Sequence, residues 1–155
     1  MKNNTAIDNK LHNTKLLLRK DRDIVWSLEV SVQRMKSDFD SEYGSSIEDY
    51  LDTIYLAGAE LSGTSLEYHA QCIDRSHKMI KLVNEAIELL RSKHKYGETY
   101  YWILYYTYLS PQKLENVEEV ITALIPHLKR LISKRTYFSK SNDAIGELGT
   151  ILWAY

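Results

Sequence analysis

The segment ETYYWILYYTYLSP at 98–111 limits what this chain can fold into more tightly than any other stretch. Five of the chain's twelve tyrosines and Trp102 fall between positions 100 and 109, and no Lys or Arg occurs from 96 to 112. By propensity such a run favours a strand. As a helix it is apolar nearly all round and has to be buried between several elements. The flanking patterns are helical and no second convincing strand is present to pair with it, so a core helix ended by Pro111 is expected. A platform for stacking single-stranded bases would interleave Lys and Arg among the rings, which this run does not.

The rest of the chain supplies helices to surround it. Asp8 or Asn9 is expected to cap a helix running to about Phe39, with Leu17, Ile24, Leu28, Val32, Met35 and Phe39 as its apolar stripe. DSEYGSS at 40–46 reads as a loop, IEDYLDTIYLAGAEL at 47–61 as a short helix capped by Ser46, and SGTS at 62–65 as a turn. From about Leu66 to His94 the stripe Ile73, Ile80, Val83, Ile87 and Leu90 marks another long helix, with Gly97 expected to end it and Glu88 within reach of Arg91. Asn116 is placed to cap VEEVITALI at 117–125, whose first turn carries Glu118 and Glu119 where the helix dipole favours acids. Pro126 is expected to end or kink this helix, and PHLKRLI at 126–132 to lead into a last helix capped by Ser133. Phe138, Ile145, Leu148, Leu152 and Trp153 read as its core side, with Lys134, Arg135, Ser139, Lys140 and Asn142 outside. The expected fold is therefore all-α, long antiparallel helices carrying a C-terminal helix-turn-helix at 116–153. The expected division is an N-terminal helical extension at 1–62 and a helical core at 63–155.

Hydrophobic content of 44% and charged content of 26% are those of an ordinary globular protein. No apolar run is long enough for a membrane span and the first residues have no signal-like stretch, so a cytoplasmic protein without membrane contact is expected. The single cysteine, Cys72, suits a reducing compartment. No Walker motif, GxGxxG, HExxH or CxxC is present, and His12, His69, His77, His94 and His127 do not fall at the spacing that gives two metal ligands on one helix. Neither an enzyme nor a cofactor or metal is expected. The net charge is −1, but it is unevenly spread. Residues 37–74 carry nine acids and no Lys or Arg, whereas 120–142 carries Lys129, Arg130, Lys134, Arg135 and Lys140 and no acid. A phosphate backbone responds to that local field, because charges beyond about 8 Å are screened at physiological salt.

A capped helix with a buried stripe and a basic, hydrogen-bonding leading end is what a helix-turn-helix uses to read DNA. Over IDRSHKMIKLVNEAIELLRSKHKYGETYYWILYYTYLS (73–110), NVEEVITAL (116–124) and ISKRTYFSKSNDAIGELGTILW (132–153) the chain resembles the ArpU/RinA-type transcription regulators of Gram-positive phages and integrative elements. That family is in turn similar to the promoter-reading C-terminal domain of sigma factors. The resemblance implies an all-helical, sigma-like fold and sequence-specific DNA binding in the control of mobile-element genes. The candidate contacts to double-stranded DNA are Lys129, Arg130, Ser133, Lys134, Arg135, Thr136, Tyr137 and Lys140, with Arg135 the candidate base reader. One basic helix is a small footprint, so a homodimer or a partner such as RNA polymerase is also expected. The competing reading is a non-enzymatic interaction factor that binds polymerase or a host protein through its helical surface.

Overall fold

The computed structural model describes residues 2–38 and 65–153, and within them every regular element is helical. The elements are α1 (Lys2–Asp38), α2 (Ser65–Lys93), α3 (Gly97–Leu104), a π-helical turn at Tyr105–Leu109, α4 (Val117–Leu128) and α5 (Lys134–Leu152). The loop expected at 40–46 and the helix at 47–61 lie outside the described residues. Ser65, expected in a turn, opens α2.

Two compact units form, one of Met1–Arg22 with Leu82–Tyr155 and one of Asp23–Lys81. Packing therefore divides the chain within α1 and α2, and not at 62/63. In the Asp23–Lys81 unit Leu28, Val32, Ala70 and Ile73 are buried, and Lys78 pairs with Asp74 at 2.8 Å one turn away.

The other unit has two adjoining cores. The first gathers Leu18 of α1, Val83, Ile87 and Leu90 of α2, Tyr100 and Leu104 of α3, and Ala144, Ile145, Leu148 and Leu152 of α5. α1 begins upstream of Asp8 and Asn9, so neither caps it. Leu18, not Leu17, is its deepest leucine at 1% exposure, while Leu16 stands 47% exposed. The LLL run offers three registers, and the buried Thr14 and Asp21 share the face of Leu18. Thr14 donates to the Lys10 carbonyl at 2.7 Å and accepts from the Trp153 indole N–H at 3.1 Å, which ties α1 to the end of α5.

α2 stops at Lys93, before Gly97, which instead opens α3. A side chain at Gly97 would collide with the carbonyl oxygens of Leu90 and Arg91, so the sharp reversal between the two helices needs glycine there. The aromatic run is helical, as expected, but its burial is one-sided. Tyr100, Ile103 and Leu104 are buried, and no residue of the π-helical turn is. The half-buried rings reach polar partners. The Trp102 indole donates to Glu98 at 3.1 Å, its ring stacks on His127 at 3.6 Å, and the Tyr106 hydroxyl meets His127 Nε2 at 2.8 Å. Arg91 bonds Glu98 at 2.6 Å and covers the Tyr101 ring at 4.0 Å. The π-helical turn closes with Ser110 N–H donating to the Tyr105 carbonyl at 2.7 Å. Arg22 serves the carbonyls left over, donating from Nε to Ser110 O at 2.7 Å and from Nη1 to Thr107 O at 3.4 Å.

The second core joins Ile103 to Val120, Ile121 and Leu124 of α4, Ile132 of the connector and Tyr137 of α5. Asn116 caps α4 as expected, its Oδ1 accepting from Glu119 N–H at 2.9 Å. Pro126 does not end this helix. The helix continues past it without the N–H that position 126 would have donated one turn back, and Leu128 still packs on the second core. Closure comes from Lys129, left-handed at φ 58, whose N–H donates to the Ile125 carbonyl at 2.7 Å.

Candidate nucleic-acid interface

Between α4 and α5 the connector is therefore 129–133, shorter than the expected 126–132. Ser133 caps α5: its side chain accepts from the Thr136 N–H at 3.1 Å and donates to the Thr136 hydroxyl at 3.0 Å. The hydroxyls of Ser133 and Thr136, both candidate DNA contacts, are thus engaged with each other in the cap.

Lys129, Arg130 and Arg135 are exposed, and among the described residues no carboxylate pairs with them. Lys134 differs: its ammonium forms an ion pair with Glu118 of α4. The hydrogen bond from Lys134 holds the Glu118 carboxyl below its ordinary range. Lys140 is half-buried, its ammonium 5.6 Å above the Tyr96 ring, which Lys95 also approaches at 4.8 Å.

Two aromatic assignments exchange places. Tyr137, expected at the DNA, is 4% exposed and hydrogen-bonds Thr107 at 2.7 Å. Phe138, expected in the core, is 52% exposed. The buried face of α5 runs through Tyr137, Ser141, Ala144, Ile145, Leu148, Gly149 and Leu152, so it keeps Ile145, Leu148 and Leu152 of the expected stripe and has Tyr137 in place of Phe138. Ser141 and Ala144 belong to it because small residues let α5 lie close to its neighbours, a signal that a purely hydrophobic pattern misses. Tyr137 therefore leaves the candidate set, and the remaining candidates share one region at the start of α5.

Beside this region lies a groove of about 790 Å³, lined by Lys10, Lys95, Tyr96, Tyr100, Asn142 and Gly146 among others. Burial raises the Tyr100 hydroxyl's pKa, and the nearby carboxylates Asp143 and Glu147 raise it further. Glu147 lies 3.9 Å from His94. The groove was not legible in the sequence, because the reversal at Gly97 brings the Lys95–Tyr96 pair to α5 across more than forty positions of chain.

Among the described residues no three His, Cys, Asp or Glu side chains gather as a metal site would require. No described helix is long and apolar enough to cross a membrane. No family model matches the chain, and no curated protein or solved structure matches it.

Proposed function

We propose that the chain is a sequence-specific DNA-binding regulator of transcription from a phage or mobile genetic element, with the leading end of α5 in the major groove. The observation that carries this reading is the exposed, carboxylate-free set Lys129, Arg130 and Arg135 around the capped start of a well-packed helix. A solvated basic edge would look similar in charge alone. The helix-turn-helix order of α4, a short connector and a Ser-capped α5 favours DNA, as does the resemblance to the ArpU/RinA-type regulators. Arg135 is the base reader, suited to guanine O6 and N7, while Lys129, Arg130 and Lys140 hold phosphates. The protein acts in the cytoplasm, as a homodimer or beside RNA polymerase, so that a second contact enlarges the footprint.

Selection of bound sequences from random duplex DNA tests this reading. A defined motif should emerge, and Arg135→Ala should weaken it by about 1–3 kcal/mol while relaxing one position. Equal loss on every sequence would reduce Arg135 to a phosphate contact. Failure to enrich any motif would favour the interaction-factor reading instead.

A further inference from the structure

Gly146 is an anomaly on α5. Glycine inside a helix destabilises it relative to alanine, because glycine loses more backbone freedom on folding. The other glycine of α5, Gly149, has a reason within the fold: a Cβ there would lie 2.8 Å from Thr14 Oγ1. At Gly146 a Cβ would meet nothing within 4 Å. Nothing described in the molecule's own packing requires glycine at that position. A remaining use for glycine is to let a foreign surface come close to the backbone.

The position of Gly146 says what that surface meets. Arg135, Ser139, Asn142 and Gly146 recur at i, i+4, i+7 and i+11, which places them along one face, and all four are exposed. Their chemistry is that of base edges. A guanidinium pairs with guanine O6 and N7, a carboxamide with adenine N6 and N7, and a hydroxyl with either. Phe138, exposed beside them, suits a thymine methyl. Asp143 and Glu147 line the same groove as Asn142 and Gly146, each one position further along the helix, where they repel phosphate and so bound the footprint.

We infer that Asn142 is a second base-reading residue, selecting adenine, and that Gly146 is the point where the duplex closes on α5. This rests on the reading of α5 as the helix in the major groove. Seven residues separate Arg135 from Asn142, about 10.5 Å at about 1.5 Å per residue. With base steps of about 3.4 Å, the two side chains read positions about three base pairs apart.

The test applies random-duplex selection and thermal unfolding to the full chain and to Arg135→Ala, Asn142→Ala and Gly146→Ala. Asn142→Ala should lose an adenine preference about three base pairs from the position relaxed by Arg135→Ala. It should bind the parent motif about tenfold more weakly and scrambled duplex as before. Gly146→Ala should raise Tm and yet weaken binding to the motif about tenfold. An unchanged motif in Asn142→Ala, or equal loss on all sequences, overturns its assignment while the Arg135 effect leaves the DNA reading standing. A Gly146→Ala variant that keeps full affinity, or that melts earlier, overturns the close approach. A parent that enriches no motif removes both readings together.

Discussion

Gly149 and Asp21 show how single positions in the α1–α5 region respond to change. With 2.8 Å between a would-be Cβ at Gly149 and Thr14 Oγ1, Gly149→Ala has to push α1 away or break the Thr14 bonds to Lys10 and Trp153. Overpacking of this kind costs about 1–3 kcal/mol, so chemical denaturation should show a loss in that range. Asp21 is buried at 6% exposure, and no hydrogen bond reaches its carboxyl among the described residues. Burial raises its pKa above the ordinary 3.8, against the lowering effect of neighbouring Arg22. The folded state then binds the proton more tightly than the unfolded chain, so stability falls as pH rises from that ordinary value through the raised one. Asp21→Asn should therefore have the higher Tm at neutral pH, with its advantage shrinking as pH falls through the same window. A gap independent of pH would show that the carboxyl's charge is not the cause.

Helix-scale features divide by whether their cause is local. Caps were legible at Asn116 and Ser133, since an N-cap depends on one side chain and the N–H groups just after it. Helix ends set by packing were not: Pro126 sits inside α4, and Gly97 opens α3 instead of closing α2. The π-helical turn at Tyr105–Leu109 was equally hidden, because the arginine that serves its carbonyls comes from position 22. The Glu118–Lys134 pair links the first turns of α4 and α5, and it too depends on how the connector folds. It holds one of the basic side chains of the proposed interface against a carboxylate. Glu118→Gln should release that ammonium toward phosphate, strengthening duplex binding on all sequences and steepening the salt dependence by about 0.9 in slope. Binding with unchanged affinity and slope would place Lys134 outside the footprint.

For the molecule as a whole, helical periodicity made the all-α architecture legible, whereas the division into units was not. A segment boundary looks natural where composition changes, near 62, but the packing cuts through two continuous helices. The core stripe of α5 was recovered at Ile145, Leu148 and Leu152 and missed at Tyr137, where a hydroxyl and a ring make core and interface look alike in a sequence. The first core draws on both α1 and α5, and the Trp153–Thr14 bond spans 139 positions. The first core therefore cannot close before residues 144–152 have been synthesised. Leu18 must wait, its apolar surface uncovered, until residues 144–152 have been made. Until then this part of α1 presents apolar surface of the kind that chaperones shield.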